Sequence, residues 1–205
     1  MARRTKDQAE ETREKLLEAA LVVMSKKTFA SVSMSEIAEE AGVTRGAIYW
    51  HFKNKNDILV HLIERLSIQM EEDFLKNGEN MTTWESLRHY FRHKVTELAP
   101  SERCTQIFEV IGRRREWPQD IQKQIFSYLE DRIAQEHKIV EDTLVGLQKA
   151  GKIRSDIVAA ELSTFFIATF HGLFAILQME KENAEVYSRY TNFFFDAFEA
   201  KLRPE

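Results

Sequence analysis

Apolar residues recur at steps of three and four along nearly the whole chain, and no stretch alternates apolar with polar residues for long enough to argue a strand. Leu16, Leu17, Ala20, Val23 and Met24 form one such stripe, and Leu59, Leu62, Ile63, Leu66 and Met70 another. Only 7 Gly and 3 Pro occur in 205 residues. Tight turns between strands need those residue types, so their scarcity argues against a β-sandwich or β-barrel and for an all-α fold. The single cysteine, Cys104, can form neither an internal disulfide nor a thiolate cluster, which fits a reducing compartment.

Nine helices are expected from the periodicity and its punctuation. The first covers roughly 6–26, where Thr5 and Gln8 have capping-box spacing. A short second helix starts after Ser33 and ends at Gly42, and a short third runs from Thr44 to His51. After the polar stretch Lys53-Asn54-Lys55-Asn56 a longer fourth helix begins; the rest follow at about 83–98, 101–115, 119–149, 156–179 and 185–202, with stops at Pro100, Pro118 and Gly151. Without repeats or a long linker, the chain divides into two parts, 1–55 and 56–205, that share the fourth helix as their junction.

The most apolar stretch, Leu162 to Met179, has no Asp, Glu, Lys or Arg and reaches the length of a membrane span. Ser163, Thr164, Thr169, His171 and Gln178 dilute it, and Glu161 and Glu180 flank it where Lys or Arg anchors belong. A helix buried in a core or a subunit interface is the better reading. The N-terminal MARRTKDQAEETREK has basic residues with no apolar stretch behind them, so no secretory signal is expected and the cytoplasm is the default.

MSEIAEEAGVTRGAIYWHF, residues 34–52, carries the most information. A helix-turn-helix crosses two short helices steeply, which demands a small residue at the crossing, a residue tolerant of positive φ in the turn, and apolar anchors on the inner faces. Ala38, Gly42 and Ile48 stand fifth, ninth and fifteenth from Met34, where those three types are needed. Ile37, Ala41, Val43 and Phe52 complete the inner face. Thr44, Arg45, Gly46, Ala47, Tyr49, Trp50 and His51 populate the rest of the third helix. A face of Arg, Tyr, Trp and His suits base edges and phosphates, and about eight residues span roughly 12 Å, the width of a B-DNA major groove. Trp50 has a second option, packing its ring on the helix-turn-helix core.

The run GVTRGAIYWHFKNKNDIL, with TREKLLEAAL and SMSEIAEEA ahead of it, resembles the DNA-binding domain of the TetR family of bacterial transcriptional regulators, and especially its AcrR branch. In detail the resemblance covers about residues 10 to 62; beyond them only helix number, length and apolar character agree. It implies an all-helical homodimer, a cytoplasmic repressor of multidrug efflux, and release from a palindromic operator when a small hydrophobic or cationic compound binds the C-terminal domain. Carried over by position, Thr44 to His51 would be the recognition helix with Arg45 reading bases, Ser33 and Ser35 would meet a phosphate, and Lys53 and Lys55 would contact phosphates from the side. The arm Arg3-Arg4-Thr5-Lys6 would either add groove contacts or be a frayed terminus.

Charge distribution is compatible. Residues 1–60 hold 10 Lys/Arg against 9 Asp/Glu, whereas residues 61–205 hold 19 against 24, within a net charge of -4. Twelve of 14 Phe lie beyond residue 60. The family resemblance places a ligand cavity among the fifth to eighth helices, which makes Trp84, Phe91, Phe108, Glu109, Phe126, Phe166 and Phe170 candidates to line it; core packing is the competing use for each Phe. The small residues Ala168, Gly172 and Ala175, with Tyr190 and Phe194 on the ninth helix and Tyr187, Phe193 and Phe198 beside them, suggest a four-helix dimer interface. His89 and His93 lie one turn apart, but no Cys or carboxylate motif completes a metal site. No nucleophile-base pair or carboxylate pair argues for an enzyme, and no cofactor is expected. The open alternative is a constitutive DNA-binding regulator without an inducer, because a Phe-rich core and a Phe-rich pocket look alike in sequence.

Overall fold

The computed structural model describes residues 2–78, 81–95, 101–180 and 184–204; the side chains of 2–6, 70–78, 128, 129, 132, 180 and 184 are also left aside. Among the described residues there are nine α-helices and no strand: α1 (Ala2–Lys26), α2 (Met34–Glu40), α3 (Arg45–His51), α4 (Lys55–Gly78), α5 (Trp84–His93), α6 (Glu102–Gly112), α7 (Gln119–Lys149), α8 (Ala159–Glu180) and α9 (Ala184–Leu202). Short 3₁₀ turns follow α1 and α6, at Phe29–Ser31 and Arg114–Glu116. The all-helical class holds.

Several boundaries differ from expectation for local reasons. α1 starts at Ala2, so residues 3–6 are helical backbone, although their side chains lie outside the described ones. α6 stops at Gly112 rather than 115, and the chain must reach an extended Trp117 (φ -76, ψ 151) before Pro118, which disfavours helix in the residue ahead of it. α8 starts at Ala159, three residues later than expected; Asp156 pairs with Arg154, and the N–H groups of Glu161 and Leu162 in the first turn bond the Val158 carbonyl. The end of the fifth predicted helix, residues 96–98, lies outside the described residues.

Two compact units emerge. The first comprises residues 1–69 and 106–129, the second 70–105 and 130–205. In the first, Leu16, Leu17, Leu21 and Met24 of α1 pack with Ile37, Ala38, Ile48 and Phe52 of the short helices and with Ile58, Leu59, Leu62 and Ile63 of α4. Val110, Trp117, Ile121 and Ile125 join the same core from far along the sequence. Each Val, Leu, Ile, Phe or Met side chain among them contributes about 1.5–3 kcal/mol on burial. Arg65, on α4, pairs with both Glu14 and Glu18 of α1.

The second unit is built on aromatic rings. Phe91 of α5 meets Phe166 and Phe170 of α8 edge-to-face, with centroids 5.0 and 4.5 Å apart, and Phe195 and Phe198 of α9 pack onto the same group. Leu144 and Leu147 of α7 and Leu87 of α5 extend the core. Polar groups inside it are satisfied: Tyr187 donates to the Leu177 carbonyl at 3.0 Å, and Trp84 Nε1–H donates to Glu199 at 3.0 Å. α8 is long and apolar enough to cross a membrane by length and composition. Its residues divide between a buried row, with Phe166, Ile167, Phe170 and Leu177, and an exposed row with Phe165, Ile176 and Met179.

Candidate nucleic-acid interface

The reading head is assembled by capping. Ser33 is the N-cap of α2: its Oγ accepts from the Glu36 N–H at 3.3 Å, and Glu36 accepts in return from the Ser33 N–H at 3.0 Å. Lys27 also bonds the Glu36 carboxylate, and this contact together with the Ser33 hydroxyl and amide holds its pKa at about 2. α2 ends in a double hydrogen bond, Gly42 N–H to the Glu39 carbonyl at 3.0 Å and Val43 N–H to the Ala38 carbonyl at 2.9 Å. That Schellman closure needs a left-handed residue after the cap, and Gly42 supplies it at φ +68. Ala38 is 1% exposed where α2 meets α3, so the small residue stands at the crossing as the spacing demanded.

Two residues after Gly42, α3 begins on Thr44, whose Oγ1 accepts from the Ala47 N–H at 3.2 Å. Ile48 and, just beyond the helix, Phe52 are buried, which turns the opposite face outward. Arg45, Gly46, Tyr49 and Trp50 are exposed, and Ala47 and His51 are partly covered. Trp50 is 74% exposed, so of its two options core packing is not the one adopted. Its ring meets His51 edge-on at 4.6 Å, and burial followed by the charge of Arg13 lowers the pKa of His51. Lys53 is exposed, and its N–H bonds Asp57 at 2.9 Å in the first turn of α4.

The arrangement of two capped short helices, one presenting Arg45, Tyr49 and Trp50 to solvent, coincides with a known sequence profile. The profile described as "Bacterial regulatory proteins, tetR family" matches residues 16–62. The repressor BepR of Brucella suis is 32% identical over 159 residues, 77% of this chain and 74% of BepR. The chain belongs to the TetR family. The regulator AcrR of Shigella flexneri is 36% identical over 124 residues, covering 57% of this chain and 55% of AcrR. In fold, the TetR-family chain superposes on SmeT, the repressor of the Stenotrophomonas maltophilia multidrug efflux pump SmeDEF, with a TM-score of 0.70 at 24% identity, over 94% of this chain and 91% of SmeT. SmeT is also known in complex with triclosan.

Not every residue that sequence reasoning singled out lies where it was expected in this TetR-family structure. Lys55, expected on a phosphate, instead donates to the main-chain carbonyls of Phe29, Ala30 and Val32. Of the proposed cavity residues, Phe91, Phe166 and Phe170 are core residues, sealed by one another and by α9. Trp84 is half-buried and stacked on Phe198 at 6.0 Å. Phe108, Glu109 and Phe126 belong to the first compact unit and the other four to the second. Glu109 pairs with Arg113 at 3.1 Å, and Phe126 is exposed.

Along α8 and α9 an apolar groove of about 680 Å³ is lined by Leu162, Phe165, Leu173, Tyr190, Phe193 and Phe198, among others. Ala168, Gly172 and Tyr190 are exposed beside it, Ala175 is half-buried, and Phe194 is buried in its wall. Tyr187, expected at the same face, is core. The exposed Phe165, Ile176 and Met179 enlarge the apolar surface; their i, i+11 and i+14 spacing, which sets them on one side of α8, is the signal that sequence reasoning missed.

Proposed function

We propose that the chain is a ligand-responsive repressor that binds a palindromic operator as a homodimer and leaves it when a small hydrophobic or cationic compound binds the C-terminal domain, with a multidrug efflux system as its target. The observation that carries DNA reading is the division of α3: Ile48 is buried, while Arg45, Tyr49 and Trp50 stand in solvent on a helix fixed at both ends. Arg45 suits guanine edges, and the ring of Trp50 suits a thymine methyl or a sugar face. Ser35 and Lys53 supply phosphate contacts at the flanks, whereas both donors of Ser33 are held by Glu36.

Dimerisation through α8 and α9 is supported by the apolar groove and by the exposed Phe165 and Phe193. An exposed apolar surface of this kind is costly in water unless covered, and a two-fold pairing of these helices covers it with itself. Two recognition helices roughly 34 Å apart then require a palindromic operator. Inducer control is supported by relatives of this fold: SmeT binds triclosan, and FadR of Bacillus subtilis was solved with stearoyl-CoA. α4, Lys55–Gly78, contributes residues to both compact units.

Titration with ethidium, a fluorescent aromatic cation, while operator occupancy is followed at fixed salt tests this reading. Release of DNA at the concentration that saturates ethidium binding is expected. Saturable binding without release would favour constitutive regulation.

A further inference from the structure

Side chains from two distant parts of the sequence converge on the main chain between α1 and α2. The Lys55 ammonium donates to the carbonyls of Phe29 at 2.8 Å, Ala30 at 2.9 Å and Val32 at 3.2 Å, and it lies 4.9 Å from the centroid of the Phe29 ring. Arg113 donates to the carbonyls of Lys27 at 2.8 Å and Met24 at 3.4 Å. Glu116 accepts from the Phe29 N–H at 3.2 Å. All of these residues lie in the first compact unit.

The connection they hold leads directly to Ser33, the N-cap of α2, and Lys27 within it bonds Glu36 of the same capping box. Of these carbonyls, Phe29 and Ala30 lie in a single 3₁₀ turn, Val32 directly follows it, and Met24 and Lys27 stand at the end of α1, where the last carbonyls of a helix have no partner within it. Charged donors are the strong substitutes. An ammonium has three N–H donors, and at Lys55 three carbonyls take all of them. We propose that Lys55, Arg113 and Glu116 are positioning residues for the DNA-reading helices: they seat the start of α2, and through it α3, while Lys55 neutralises no phosphate. This rests on the DNA-binding reading above and adds to it a division between lysines two residues apart. Lys53 meets the nucleic acid, and Lys55 holds the protein that reads it.

Salt dependence separates the two roles, because each phosphate neutralised releases counterions and a positioning contact releases none. Operator affinity is measured against KCl concentration for the full chain and for Lys53→Met, Lys55→Met, Arg113→Met and Glu116→Gln. Amide hydrogen exchange over residues 29–37 is followed in the same proteins without DNA. Lys53→Met is expected to reduce the slope of log affinity on log salt by about 1 and leave exchange unchanged. Lys55→Met and Arg113→Met are expected to lose affinity about tenfold at an unchanged slope and to exchange faster. Glu116→Gln, the mildest change, should show the same pattern at smaller size and serves if the others are too unstable. A slope reduced by about 1 in Lys55→Met, with exchange at the wild-type rate, overturns the proposal. Because exchange is read without DNA, a chain that bound no operator would sink the DNA-binding reading while the amides still decided whether these residues seat α2.

Discussion

The ammonium of Lys94 lies 2.7 Å from Glu136 Oε1 in the second unit, and the other carboxylate oxygen of Glu136 meets His171 Nε2 at 3.0 Å. Glu136 is 5% exposed. Burial alone would raise its pKa, but the Lys94 charge and the His171 hydrogen bond outweigh it and hold the group at about 2 against an ordinary 4.5.

A carboxyl depressed in the folded state stabilises the fold fully above its unfolded pKa and stops doing so as pH falls through the folded value. Glu136 therefore contributes fully above about pH 4.5 and progressively less toward pH 2. Lys94→Met leaves a buried, half-paired carboxylate and should cost about 3–5 kcal/mol near neutral pH. Urea denaturation at pH 7 and pH 3 checks this: the gap between wild type and Lys94→Met should narrow at the lower pH, and an equal gap at both would disprove it.

Gly42 sits at φ +68 with nothing within 4 Å of where a Cβ would stand, so an alanine there suffers backbone strain without a clash. Gly42→Ala should cost about 1–2 kcal/mol. Ala38→Leu, at the buried helix crossing, overpacks it and should cost about 1–3 kcal/mol and abolish operator binding. Thermal melts of both variants measure the difference in mechanism: a Gly42→Ala protein as stable as wild type would contradict the left-handed cap.

Trp50 contributes little to the fold, being 74% exposed. Trp50→Ala should change unfolding free energy by no more than about 0.5 kcal/mol while weakening operator binding. Arg45→Ala should lose about 1–3 kcal/mol of specific binding and relax preference at one base pair of each half-site. Melting and gel-shift measurements on the same preparations decide it; a Trp50→Ala protein with normal operator affinity would remove that ring from the interface.

Phe193 is 72% exposed on α9, on the surface proposed above to pair with a second copy. Phe193→Glu is expected to leave a folded monomer with weakened operator binding, read by sedimentation velocity at micromolar concentration. A dimer unaffected by this charge would move the interface away from α8 and α9.

How far the sequence alone reached depended on whether a residue's use was local. Ala38, Gly42 and Ile48 were legible because a helix-turn-helix dictates side-chain size and φ at fixed short spacing, and their burial and geometry agree. The carbonyl contacts of Lys55 were not legible because their partners lie 23 to 26 residues upstream, in a connection whose composition says nothing about orphan carbonyls. Phe91, Phe166 and Phe170 stood between cavity lining and core because periodicity marks an inward face and cannot say whether a ligand or another ring fills the space; in the structure they pack on one another. Likewise the pairing of Glu109 with Arg113 is an ordinary i, i+4 contact that a ligand-binding assignment had set aside.

Selection of DNA from a random pool by the purified full chain, followed by sequencing, bears most directly on the claim that α3 of two subunits reads an operator. A palindrome whose half-sites are centred about one helical turn or slightly more apart is expected, lost on Arg45→Ala. Enrichment of no sequence, or of a single asymmetric half-site, would contradict it.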